Sequence, residues 1–337
     1  MKPVIYGLSG LQLTADERAF FREADPVGYI LFRRNVADRA QLRALTDDLR
    51  ALSGRDDLPI LIDQEGGRVA RMQPPEWPAF PAGPAFDALY EKAPASAIQA
   101  AFLNGHALGM MLAEVGITVD CLPLLDVRRA ETTPAVAERV YGADPMRVAA
   151  LGRAMLDGLR RGGVVGVVKH MPGHGRAQVD SHYELPVVTA GEDELASDIE
   201  PFRTLASAPM GMTAHVVYQA WDTDRPATLS PTVIERIIRG RIGFDGLLMT
   251  DDIDMKALTG SAGEKAAAAI AAGCDVVLDC WARMDEMTDI AERTGTLSSG
   301  GRDRLDRAMS GLAEARREAD LADLIARRDE LLAITAD

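Results

Sequence analysis

The chain has 337 residues, 47% hydrophobic and 26% charged, and its 37 Lys and Arg against 51 Asp and Glu give a net charge of −14. That length supports a large core and allows either one α/β barrel or two smaller domains. So acidic a chain repels nucleic acid and anionic membrane, and Arg33-Arg34 and Arg160-Arg161 are too short to reverse that.

The cysteines Cys121, Cys274 and Cys280 are odd in number and form no CxxC, so reduced, buried thiols are expected rather than disulfides or a thiolate zinc site. MKPVIYGLSG lacks a signal-peptide core, and no apolar run approaches the ~20 residues that span a bilayer. A soluble cytoplasmic protein is expected.

In chain order, residues 4–8 read as a strand, 16–23 as a helix and 27–32 as a second strand ending in Arg33-Arg34-Asn35. Leu42, Leu45, Leu49 and Leu52 put residues 39–52 on a helix. The strand 60–62 runs into Asp63-Gln64-Glu65-Gly66-Gly67-Arg68, and the Pro-rich stretch 74–84 predicts neither helix nor strand. A long helix at 95–115 ends at Gly116, and a strand at 118–122 precedes Pro123 and Asp126. Asp144-Pro145 caps a helix that ends near Arg161. The strand 164–168 leads into Lys169-His170-Met171-Pro172-Gly173-His174-Gly175. A helix at 192–206 and a strand at 210–214 follow, the strand ending at His215. Ser230-Pro231 opens another helix, and the strand 247–249 ends at Thr250-Asp251-Asp252. A helix at 264–272, a strand at 276–278 and a helical tail at about 302–335 complete the chain.

Eight apolar strands alternating with helices predict parallel βα units. A doubly wound sheet also alternates in this way. The count of eight, and polar residues after many strands, favour a (β/α)8 TIM-type barrel, where all strand ends meet at one mouth. A single domain over 1–337 is expected, since no linker or repeat divides the chain.

The groups that follow the strands are Arg33, Asp63, Asp126, Lys169, His170, His182, His215 and Asp251. No Walker motif is present, and Gly66-Gly67 and Gly162-Gly163 lack GxGxxG spacing. Three uses fit such a set. Histidines and an aspartate could hold zinc for hydrolysis, with His170 and His174 at i, i+4. Pro172 and Gly173 argue against a helix between them, so His174 is expected to be a loop histidine bonded to backbone. Glycoside hydrolysis needs a proton donor and an opposing carboxylate. A sugar-binding barrel without catalysis is the third.

KHMPGHG at 169–175, followed by DSHYELP at 180–186, closely resembles the signature of glycoside hydrolase family 3. Within it, the chain looks like the single-domain bacterial β-N-acetylhexosaminidases of peptidoglycan recycling. ILFRRN (30–35), LIDQEGGRVARM (61–72), LPLLDV (122–127), ERVYGADP (138–145), MTAHVVY (212–218) and LLMTDDIDM (247–255) match in order.

The resemblance implies a retaining mechanism through a covalent glycosyl-enzyme, with Asp251 as nucleophile. Thr250 replaces the family's usual Ser, and Asp252 is the rival nucleophile. It implies a histidine acid/base, His182, paired with Asp180. In an extended segment i and i+2 share a side, a carboxylate orients an imidazole, and a histidine pKa of about 6.5 suits both proton transfers. The implied sugar contacts are Asp63, Arg71, Arg139, Lys169 and His170, with Arg68 a rival to Arg71. His215 and His174 would support the site from behind, and Asp126 would do the same or cap a helix. The implied substrate is a muropeptide, N-acetylglucosamine joined to anhydro-N-acetylmuramic acid with or without peptide. No cofactor or metal is implied, and a monomer is expected. Phosphate as acceptor in place of water stays open, because a neutral histidine does not repel it.

Overall fold

The computed structural model describes residues 1–181 and 183–335. Eight parallel strands close a barrel: β1 Lys2–Gly7, β2 Pro26–Leu31, β3 Ile60–Ile62, β4 Val119–Asp120, β5 Val165–Met171, β6 Met210–Thr213, β7 Leu247–Asp252 and β8 Val276–Asp279. Closure is made by β8 on β1, with Val4, Ile5 and Tyr6 opposite Val277, Leu278 and Asp279.

Strand residues alternate between two apolar layers, as the two-residue period of a pleated strand requires. Ile5, Ile30, Leu61, Val165, Val167, Met210, Met212, Leu247, Met249 and Leu278 fill the barrel interior. Tyr6, Tyr29, Ile60, Ile62, Val168, Leu248 and Val277 face the surrounding helices. Leu305, Ala308 and Met309 of the helix Ser299–Met309 join the interior layer. The Leu297 N–H donates to Met1 O, so this helix lies where the strands begin. The opposite end of the barrel is left for polar groups. Continued one step further, the inward parity points Asp63, Lys169 and Asp251 toward the barrel axis.

Two strands outrun the sequence expectation. β5 extends through Lys169 and His170 to Met171, beyond the expected 164–168, and β7 extends to Asp252, beyond 247–249. The apolar run stops at the first charged residue, but the backbone ladder does not. Leu125 N–H donates to Lys169 O at 2.7 Å, and Ala214 N–H to Met171 O at 2.7 Å. The Pro-rich 74–84 stretch needs a correction at its end, where a helix Gly83–Lys92 begins. Pro84 sits in its first turn, where a missing N–H costs nothing. Gly83 is required there, because a Cβ would fall 2.2 Å from Arg139 O.

The cap at Asp144 forms as expected, its carboxylate accepting from Arg147 N–H at 2.8 Å. Ser230 Oγ accepts from Val233 N–H at 3.1 Å, but the helix it opens is wound as a π-helix over Val233–Ile242. Among the described residues no helix is long and apolar enough to cross a membrane.

Candidate active site

A buried charge network occupies the mouth beside β3 and β5. Lys169, 2% exposed, places Nζ 3.2 Å from Asp63 Oδ1 and 2.7 Å from Glu65 Oε1. Arg139 forks the same Glu65, with Nε to Oε2 at 2.7 Å and Nη2 to Oε1 at 2.6 Å. Arg71 Nη2 donates to Asp63 Oδ2 at 2.9 Å. Gln64 orients that arginine: its side-chain Oε1 accepts the N–H groups of Arg71 and Met72 at 2.8 and 3.0 Å. Burial works against each charge, but the partners win. Asp63 stays well below the usual carboxylate range because Lys169 and Arg71 outweigh desolvation. Glu65 is likewise lowered by Arg139 and Lys169, and Lys169 is raised by Glu65 and Asp63. Three cations on two carboxylates leave donors to spare, and Arg71 Nε is buried without a partner. Charged donors and acceptors at fixed spacing suit sugar hydroxyls, because charge-assisted hydrogen bonds are stronger than neutral ones.

Asp126, fully buried, organises the β5 end. Its Oδ2 lies 2.8 Å from His170 Nδ1, while Oδ1 accepts His170 N–H at 3.2 Å and His174 N–H at 2.6 Å. Burial would raise its pKa, but His170 and then His174 hold it at about 2. A carboxylate on Nδ1 keeps the hydrogen there. His170 Nε2 is thereby turned toward Asp251 Oδ2, 4.0 Å away. His174 is buried, with Nε2 3.4 Å from Ser181 Oγ, and burial followed by the nearby His170 pushes its pKa down to about 4. It is therefore neutral at pH 7. The two rings meet edge to face at 5.6 Å. Among the described residues no group of three or more His, Cys, Asp or Glu side chains is arranged to hold a metal.

At the end of β7 two adjacent aspartates have opposite environments. Asp251 Oδ1 accepts the Asp252 N–H at 2.8 Å. Burial acts to raise its pKa, but His170 and His215 lower it below the usual value. His215 is fixed behind it by Thr228 Oγ1 at Nδ1 (2.7 Å) and by Asp252 O at Nε2 (2.9 Å). Asp252 spends both oxygens on its own turn and on the segment after β8: Oδ1 accepts from Asp254 N–H (3.2 Å) and Cys280 N–H (3.4 Å), and Oδ2 from Trp281 Nε1 (3.1 Å). Burial raises its pKa to about 6. Thr250 Oγ1 accepts Leu278 N–H at 3.0 Å, so the hydroxyl at this position ties β7 to β8.

Behind this turn Asp279 is buried with Oδ2 unpartnered, and burial, then Asp252 and Glu286, raise its pKa to about 7. A raised carboxyl pKa means the folded state holds a proton the unfolded chain releases near pH 4. Its contribution is full below that pH and is lost as pH rises through about 7. Asp279→Asn should stabilise the protein at pH 8 by on the order of 2 kcal/mol and flatten the fall in Tm between pH 5 and 8. An unchanged Tm profile in thermal melts would remove this account of Asp279.

The sequence matches the Glycosyl hydrolase family 3 N terminal domain over residues 9–310. The chain belongs to glycoside hydrolase family 3. It is 37% identical over 316 residues to a beta-hexosaminidase of Bordetella avium, covering 92% of this chain and 89% of that one. A beta-hexosaminidase of Chromobacterium violaceum is 40% identical over 292 residues, covering 82% and 78%. Native NagZ from Neisseria gonorrhoeae superposes with a TM-score of 0.87 at 31% identity, covering 98% of each chain. That NagZ has also been solved with N-trifluoroacetyl-D-glucosamine, and this form covers 98% of each chain with the same TM-score of 0.87 and 31% identity.

In this family 3 barrel, Asp63, Arg71, Arg139, Lys169, His170 and Asp251 come together at one mouth, with His174 and His215 behind them. Arg68 turns away to the exposed Glu138. Asp126 caps no helix and holds His170 instead. Glu65 was not expected, although a second carboxylate two residues beyond Asp63, in a segment so rich in charge, is a usable signal. The loop after β5 passes Val127 at Gly175, where a Cβ would lie 1.9 Å from Val127 O. Arg176 then anchors it through Asp198 (2.7 Å). Further on, Asp180 O accepts the N–H groups of Tyr183 (2.9 Å) and Glu184 (3.1 Å), and Ser181 O accepts Ala257 N–H (3.3 Å). The expected acid/base His182 lies outside the described residues.

Proposed function

We propose that this family 3 barrel is a retaining exo-β-N-acetylglucosaminidase that removes terminal N-acetylglucosamine from muropeptide fragments of the cell wall. The observation that carries the reading is the division of labour at the end of β7. Asp251 is held ionised with Oδ2 toward His170, while Asp252 is occupied by the N–H groups of Asp254, Cys280 and Trp281. An ionised carboxylate beside a clamp of Asp63, Lys169, Arg139, Arg71 and His170 suits nucleophilic attack on an anomeric carbon. The beta-hexosaminidases among its relatives, and a NagZ neighbour that binds an N-acylglucosamine, support that sugar.

In the first step Asp251 Oδ2 bonds to C1 as the C1–O bond to the leaving group breaks, and His182 gives that oxygen its proton. In the second, His182 takes a proton from water, whose oxygen bonds to C1 and releases Asp251. Two inversions return the β configuration. The His182 role rests on its place in DSHYELP, with Asp180 two residues before it. The buried, neutral His174, near Ser181 Oγ, supports that segment from below.

The test follows an aryl β-N-acetylglucosaminide by proton NMR, with the β anomer of the free sugar expected first. Initial α product would overturn retention, and a sugar 1-phosphate formed only with added phosphate would make the enzyme a phosphorylase. His182→Ala should lower kcat by about 10²–10⁴-fold with KM little changed. A wild-type rate in that variant would remove the acid/base assignment.

A further inference from the structure

We infer that Trp281 is a platform for the leaving-group sugar, so that this mouth selects substrates whose aglycone is itself a pyranose. The inference rests on the glycosidase reading above and adds to it a residue that holds the other half of the substrate. Trp281 stands just past the end of β8 with 55% of its surface exposed, unusual for so large an apolar ring. It is not a loose surface residue. Its indole N–H donates to Asp252 Oδ2 at 3.1 Å, one residue from Asp251. The preceding N–H, from Cys280, reaches Asp252 Oδ1 at 3.4 Å. The following residue, Ala282, has φ +57, a left-handed conformation uncommon for a residue with a Cβ. Such backbone persists where the surroundings impose it, and it clusters at ligand sites.

The ring also has backing. The Arg34 guanidinium lies 6.0 Å from its centroid and 4.9 Å from that of Phe32. Arg34 is itself pinned by Leu8 O at 2.7 Å and by Cys280 O. Phe32 in turn carries the Arg71 guanidinium at 5.4 Å, and Arg71 holds Asp63. A continuous line of contacts therefore runs from Trp281 along the rim to the clamp proposed for the terminal sugar. Trp281 is packed toward Arg34 and its only donor is spent on Asp252, so what it offers a ligand is an exposed π surface. A pyranose presents a face of C–H groups that such a surface covers well, and an aromatic ring held rigid loses little entropy on contact. The terminal sugar does not require this feature, because its hydroxyls are met by the charged clamp.

The experiment compares kcat/KM on two substrates, N,N′-diacetylchitobiose and 2,2,2-trifluoroethyl β-N-acetylglucosaminide. The first has a pyranose leaving group and the second a small one. Trp281→Ala should lose about 10- to 30-fold on the disaccharide and stay within about twofold on the trifluoroethyl glycoside. Trp281→Phe keeps a ring without the N–H and should stay within about threefold on both. An equal fall on both substrates would show that the residue acts only by bracing Asp252, and no fall on the disaccharide would show that the ring is idle. Either result overturns the platform. Failure of the wild-type enzyme on both substrates is a separate outcome, which sinks the glycosidase reading and the platform with it.

Discussion

Asp251→Ala should lower kcat/KM by at least about 10³-fold on any β-N-acetylglucosaminide, while Asp252→Asn should cost no more than about tenfold. The two carboxylates are neighbours in sequence, and only their surroundings set them apart. Asp251 has its pKa lowered by His170 and His215 against burial, so it remains a carboxylate at pH 5 as well as at 7. Asp252 has its pKa raised to about 6 by burial, and its oxygens serve Asp254, Cys280 and Trp281. In Asp251→Ala, added azide should restore turnover and yield the α-glycosyl azide, because the small anion attacks C1 from the side the carboxylate has vacated. A 5-fluoro N-acetylglucosamine analogue should label the wild-type enzyme, and peptide mapping should find the label on Asp251. A label on Asp252 would exchange the roles.

Glu65→Gln should be the most destabilising single change at the mouth. Glu65 is buried and carries both the Arg139 fork and one contact to Lys169. Removing its charge leaves Lys169, Arg139 and Arg71 with Asp63 as the one remaining carboxylate of the network, and breaking a buried pair in this way costs about 3–5 kcal/mol. The melting temperature should fall by roughly 4–7 °C, and KM should rise as the clamp loosens. Glu65 has a lowered pKa when folded, so its stabilisation is present above the ordinary carboxylate pKa and is lost as pH falls through the folded value. The gap between variant and wild type should therefore narrow in acid. The exposed pair Arg68 and Glu138 is the control, and breaking it should cost no more than about 1 kcal/mol. An unchanged Tm in Glu65→Gln, measured at pH 7, would falsify the view that this network is strongly coupled.

Much of the barrel is legible in the sequence because its signals are local. Apolar runs mark β1 to β8. Asp144-Pro145 marks a helix start, and Gly116 and Gly273 mark helix ends, because capping and left-handed backbone depend on a few adjacent residues. The ends of β5 and β7 are not legible in this way. Lys169, His170, Asp251 and Asp252 belong to strands only because neighbouring strands supply hydrogen bonds beyond the apolar run. The helix at Gly83–Lys92 is hidden by Pro84 and the prolines before it, and the π winding of Val233–Ile242 leaves no mark in residue spacing.

The same division holds for the site. Sequence by itself determines which residue types stand at the strand ends, and the KHMPGHG and DQEGGRV blocks carry the family resemblance. It does not determine what those residues do to one another. Asp126 holding His170, Glu65 joining Lys169 to Arg139, and Trp281 braced on Asp252 each link groups 29 to 104 positions apart. Pairing of that kind exists only after the barrel closes. The ionisation of Asp251 against Asp252 is decided there too, because burial and neighbouring charge are properties of the folded mouth.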